Sequence, residues 1–446
     1  MAMVAWAVPE KIVSEQEEFQ NMEMYIVLAV TLFMMVMFIL GKIPYGVITM
    51  TCCAILALTG VMEPAEAFSG LSNSTTLLIA GMLALASAFG KTSAVARVRG
   101  LLAKAKAKNG FVFLLSLYII VIILSQLMGR TACISIMILF VGSMDSSEGM
   151  SPSRLITAIF SVMAIWNLKF PIGMGATMAS VANSFYEGII TDPALMLQPI
   201  DLLKVTIIPG VVLLVYALFA WRLIPDTDEV DTSTVKAVKM AEAIPKKDEI
   251  CITVVFFAVV VSFFFSSQLG SLMNVMPVIG VLVLLYTKSI TVKEAVSSMT
   301  TDMVWMVAGV LVVSSAIGSS GLGDLIGQGI QTFLGGTHNS FLIILVFAIA
   351  ATVITTFMSN TGTQALLTPI AASYCLVSGG DPRGIVLAVN IAAVFALAFP
   401  SGSGECALMF AVTKQNPIKL LRYSGPYLIL AVLALTISIN LFYPVF

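Results

Sequence analysis

The chain has 446 residues, of which 59% are hydrophobic and only 11% charged, with a mean hydropathy of +1.02. Soluble domains carry ~25% charged residues, so this composition excludes a soluble protein, and a net charge of −1 gives nucleic acid no footing. The six cysteines (Cys52, Cys53, Cys133, Cys251, Cys375, Cys406) sit in apolar stretches without metal-type spacing. They read as small hydrophobic residues. The single histidine, His338, gives no basis for a metal site.

Residues 1–23 are mixed and acidic and read as an extramembrane segment without a cleavable leader. A helix crosses a bilayer with ~20 apolar residues. Full crossings are expected at 24–40, 43–61, 74–90, 154–190, 202–223, 250–266, 271–288, 300–320, 383–413 and 424–444. The runs are continuous rather than alternating, which excludes an outer-membrane barrel. Two further apolar stretches, 110–142 and 340–378, are interrupted at mid-length by small and polar residues and read as re-entrant hairpins. The long segments 154–190 and 383–413 are expected to break at Pro171–Gly175 and Pro400–Gly404.

These features recur at an offset of 228 to 230 residues. Ala80-Gly81 matches Ala308-Gly309. Met128-Gly129-Arg130-Thr131 matches Met358-Ser359-Asn360-Thr361, and Phe170-Pro171 matches Phe399-Pro400. The register holds across all landmarks, so the chain is a duplication, with halves 24–224 and 250–446 joined by a cytoplasmic linker at 225–249. Five crossings per half is an odd number, so the halves insert with opposite topology, as in secondary transporters. Charge supports this. The loop 91–108 carries Lys91, Arg97, Arg99, Lys104, Lys106 and Lys108, which places it in the cytoplasm, as an interfacial helix. Its counterpart, 319–339, has no Lys or Arg. With the termini outside, only Lys11, Lys204 and Arg383 of the 23 Lys and Arg fall outside, and Arg130 and Lys169 lie within the membrane.

Non-helical backbone at membrane depth must be buried in protein or line a wet cavity. Two hairpin tips and two broken helices supply four such places, where helix N-termini bind anions and freed carbonyls bind small cations. The second tip, Ser359 to Thr363, is dense in oxygen. With Ser401, Gly402 and Ser403 it forms a candidate Na⁺ cage, the one cofactor-like ion expected. The alternative is that these residues cap half-helices. Ser72-Asn73-Ser74 has similar letters but reads as a helix cap at the start of a span.

The tip sequence Met358-Ser359-Asn360-Thr361, repeated half a chain away, resembles the Ser-Asn-Thr signature of the divalent anion:sodium symporter family. Ala67–Asn73, Leu78–Gly81 and the glycine-rich breaks after Pro171 and Pro400 add to the resemblance, which covers residues 24–446. It implies an all-α integral membrane protein with inverted repeats. It also implies an elevator-type transporter of di- or tricarboxylates or sulfate, usually a homodimer, multi-pass in a cell membrane such as the bacterial inner membrane. Substrate would lie between the tips and a Na⁺ in each half. Substrate candidates are then Gly129, Arg130, Thr131, Lys169, Gly173, Thr177, Ser359, Asn360, Thr361 and Ser401. Coupling-ion candidates are Ser359, Asn360, Gly402, Ser403 and Glu405.

The first half departs from the signature, reading Gly129-Arg130-Thr131. Arginine has five donors and no acceptor, so Arg130 does not ligate Na⁺. It replaces the bound cation, binds a substrate carboxylate through its fork, or joins Lys169 in neutralising Glu405. Intramembrane charges are costly and usually functional. Asn167, just before Lys169, is a further cavity candidate. An inorganic oxyanion such as sulfate or arsenite suits the same cations. A channel would show a continuous polar pore rather than four mid-depth breaks. An enzyme would need a catalytic set that Glu405 alone does not provide.

Overall fold

In hydrocarbon every backbone polar group must be satisfied internally, and apolar runs of this length do so as helices. The computed structural model describes residues 10–40, 42–93, 110–127, 130–141, 151–227, 230, 244–264, 269–356, 359–400 and 403–446, with no strand among them. The first half contains α1 (Glu10–Leu40), α2 (Tyr45–Leu58), the short α3 (Pro64–Ala67), α4 (Ser74–Phe89), α5 (Gly110–Leu127), α6 (Arg130–Val141), α7 (Pro152–Trp166), α8 (Met178–Ser184) and α9 (Pro199–Ala220). The second contains α10 (Lys246–Phe264), α11 (Met276–Tyr286), α12 (Val292–Met299), α13 (Asp302–Ser319), α14 (Leu322–Phe333), α15 (Ser340–Thr355), α16 (Asn360–Ser378), α17 (Pro382–Ala392), α18 (Gly404–Thr413) and α19 (Pro417–Phe442). Among the described residues four stretches, Asn21–Phe38, Pro193–Leu223, Asp302–Ser319 and Pro417–Phe442, are long and apolar enough to cross a membrane alone.

The halves are related by a pseudo-two-fold, visible in reciprocal contacts. Gly309 on α13 lies so close to α2 that a Cβ there would sit 2.4 Å from the Thr49 Cβ. Its repeat-mate Gly81 on α4 lies equally close to α11, where a Cβ would meet Pro277 Cβ and Val278 N, each at 2.8 Å. At the helix starts, Asp302 accepts from the Gly46 and Tyr45 N–H groups at 2.8 and 3.2 Å, and in the reciprocal contact its equivalent Ser74 accepts at Oγ from Asn274, the equivalent of Gly46, at 3.1 Å.

Helix packing falls into two bundles. A flank bundle joins α1–α4 to α10–α13, chiefly through α2 on α13 and α4 on α11. A site bundle joins α5–α9 to α15–α19, chiefly through α9 on α19 and α18 on α7 and α6. α14 packs on α16, and the direct seam between bundles is formed by α8 and the 173–177 turn against α4, by α8 against α13, and by α16 against α1 and α13. At one end of the site bundle the Tyr443 hydroxyl donates to Asp201 at 2.6 Å, tying the end of α19 to the start of α9.

Several boundaries differ from those expected. α1 starts within the segment read as extramembrane. The stretch 319–339, read as a loop, holds α14. Its Gly323, Gly327 and Gly329 lower intrinsic helix propensity, but packing on α16 outweighs this. Both breaks begin before their prolines: α7 ends at Trp166 and α17 at Ala392. The reason is that hairpin side chains take the last carbonyls of each helix. Gln126 Nε2 donates to the Trp166 carbonyl at 2.7 Å, and Thr355 Oγ1 donates to that of Ala393. Leu168 then adopts a φ of +54°. Gly175 lies so close to the chain that a Cβ would sit 2.0 Å from the Phe170 carbonyl oxygen. Asn73 caps α4 as expected, accepting from Thr75 N at 2.7 Å. The expected interfacial helix at 91–108 lies outside the described residues apart from Lys91–Ser93, as does most of the linker.

Candidate substrate site at the hairpin tips

α6 and α16 begin at repeat-related positions, Arg130 and Asn360, so two helix N-termini with their partial positive charge converge at one place. Arg130 Nε donates to Asn167 Oδ1 at 3.2 Å, and Asn167 Nδ2 donates to the Ser125 carbonyl at 2.8 Å. Arg130 Nη1 faces the Asn360 side chain. A guanidinium only donates, which fixes the Asn360 amide with its oxygen towards Arg130. Its nitrogen then donates to Thr355 Oγ1 and to the Ala393 carbonyl, both at 2.8 Å. Arg130 thus bridges the first helix break and the second hairpin tip.

Lys169 is buried in the first break, at 5% exposure, and its charge repels that of Arg130. Among the described residues its ammonium has no hydrogen-bond or ion-pair partner. Glu405, in the first turn of α18, attracts Arg130. Among the described residues two cations and one carboxylate therefore share the site.

The remaining candidates differ in what holds them. Ser359 and Ser403 are N-caps: Ser359 Oγ accepts from Gly362 N at 3.0 Å and Ser403 Oγ from Cys406 N at 3.1 Å. Capping is therefore realised at both. Thr361 lies in the first turn of α16, and Thr131 in that of α6. Thr177 is buried, and its hydroxyl donates to the Met174 carbonyl at 2.8 Å, inside the 3₁₀ turn that Gly173 opens. Its hydroxyl is occupied by its own turn rather than by the cluster. Gly129, Ser401 and Gly402 lie outside the described residues. The Asn360 oxygen, a coupling-ion candidate, accepts from Arg130.

Gln126 and Thr355 were not singled out in the sequence, although they are repeat-mates at the ends of α5 and α15. A lone amide closing an apolar helix was the available signal. Thr363 Oγ1, one turn into α16, is buried without a hydrogen-bond partner among the described residues.

Inverted repeats, paired breaks and a charged centre define an all-α, multi-pass membrane transporter. The family model described as citrate transporter (CitMHS) matches residues 35–389, and the chain belongs to that family. The resemblance carried by the tip signatures is borne out at the level of the transporter superfamily. No curated protein matches. Two solved structures share the fold. Neisseria gonorrhoeae MtrF, described as illuminating a class of antimetabolite efflux pumps, is 18% identical with a TM-score of 0.57, covering 86% of this chain and 84% of that one. The Alcanivorax borkumensis YdaH transporter, described as having an unusual topology, is 13% identical with a TM-score of 0.55, covering 88% and 89%.

Proposed function

We propose that this protein is a secondary transporter of citrate or a related di- or tricarboxylate, bound between the hairpin tips. The observation that carries this is the pair of half-buried Arg130 and buried Lys169 against Glu405, the one carboxylate at the site among the described residues, where two helix N-termini converge. An unpaired charge at mid-membrane costs at least ~2.5–3.5 kcal/mol. A multivalent anion supplies the missing negative charge and accepts from donors already held in place. The separate packing of the flank and site bundles supports an elevator-type movement of one against the other. With Arg130 in the first half and the Asn360 oxygen occupied, cation coupling is weaker than in a two-site carrier, or the cycle runs as anion exchange. Assembly as a homodimer rests on the family resemblance, and light scattering of the purified protein tests it.

Uptake by proteoliposomes of labelled citrate, succinate, sulfate and arsenite, with and without Na⁺ and a pH gradient, tests the function. Saturable citrate or succinate uptake is the expected result. Uptake of only sulfate or arsenite would replace carboxylates by inorganic oxyanions, and non-saturable flux of several ions would indicate a channel.

A further inference from the structure

We propose that Gln126 is a positioning residue that holds Lys169 in the substrate site, a proposal that rests on the carboxylate reading above. Backbone N–H groups in a helix break lose their helical partners and must find others when buried. Here three successive ones find them at the end of α5. Leu168 N donates to the Ser125 carbonyl at 3.3 Å. Lys169 N and Phe170 N donate to Gln126 Oε1 at 3.1 and 3.2 Å. On its other side the Gln126 amide donates to the Trp166 carbonyl at 2.7 Å, so this one side chain spans the break.

Lys169 makes no side-chain hydrogen bond among the described residues, so its backbone anchor sets where the ammonium lies. Arg130 is anchored at the same place, through Asn167 to the Ser125 carbonyl. The end of α5 therefore fixes both site cations as a unit against their mutual repulsion. Among the described residues the second half shows no such device. Its equivalent residue, Thr355, bonds the Ala393 carbonyl and places no cation. The asymmetry at 126 and 355 thus follows the asymmetry of charge between the halves.

The test is a double-mutant cycle on citrate uptake. Gln126→Thr installs the residue that the other half uses and keeps a donor for the Trp166 carbonyl, but it is too short to reach the two N–H groups. Gln126→Met, of similar volume, is the second variant. Losing hydrogen bonds worth ~1.4 kcal/mol corresponds to about tenfold. Either variant is expected to raise KM about tenfold with kcat little changed, and to add nothing on a Lys169→Ala background, because Gln126 acts through Lys169. Effects that add to Lys169→Ala, or a wild-type KM in both variants, overturn the proposal. A silent Lys169→Ala would instead sink the carboxylate-site reading itself. A melting curve in detergent shows which variants are folded. If neither is folded with Lys169 present, a structural role suffices and the proposal falls.

Discussion

Arg130 and Asn360 occupy equivalent positions in the two halves of the chain, and the guanidinium of one donates to the amide oxygen of the other. The two hairpin tips therefore touch through the very residue pair at which the halves differ. A symmetric ancestor with asparagine at both tips would present two oxygen-rich sites. Here one tip carries a permanent cation, and the other lends its oxygen to hold that cation.

Arg130→Asn makes the tips alike. It removes one of the two site cations and frees the Asn360 oxygen. Uptake should then show a KM for citrate raised at least about tenfold, the loss of a charge-assisted hydrogen bond being worth ~1.5–3 kcal/mol. The Na⁺ dependence should steepen. A wild-type Hill coefficient clearly above one for Na⁺, unchanged by the substitution, contradicts the assignment.

Asn360→Ala leaves the Arg130 guanidinium without its partner across the tips, and removes the amide that donates to Thr355 and Ala393. KM should rise by about tenfold or more, on the same ~1.5–3 kcal/mol scale. Unchanged uptake kinetics and ion dependence would show that the second tip is outside the site.

The inverted arrangement predicts opposite exposure for His338 and Lys419, which follow α14 and open α19 and are both surface residues. In a Cys251→Ser background, His338→Cys should react with an impermeant thiol reagent from outside, and Lys419→Cys from the cytoplasmic side. Labelling of both from one side would falsify the topology.

The hairpins, the breaks and both tip residues were legible because duplication repeats them in register, and because charges inside an apolar run stand out. The exact starts of the breaks were not. Trp166 and Ala393 lose their helical roles to Gln126 and Thr355, about forty residues away in sequence, and no local pattern reports that contact. The donation from the Thr177 hydroxyl to the Met174 carbonyl belongs to a 3₁₀ turn that no motif announces. The orientation of the Asn360 amide needs the neighbour that only folding supplies.

The pseudo-two-fold makes a paired stability prediction. Gly81→Ala and Gly309→Ala each put a methyl group into a helix contact with no room for it. Overpacking of this kind costs ~1–3 kcal/mol. Both variants should melt earlier in detergent, by similar amounts. Neutral behaviour at either glycine would show that the α2–α13 and α4–α11 contacts are looser than described.

The proposed electropositive site for a multivalent carboxylate is built from Arg130, Lys169 and the Asn360 tip. Equilibrium citrate binding to purified protein, compared among wild type, Arg130→Ala and Lys169→Ala, tests it most directly. Saturable binding by the wild type is expected, with at least about tenfold weaker binding by each variant, since each loses a charge-assisted contact of ~1.5–3 kcal/mol. Equal affinity in all three folded proteins would contradict it.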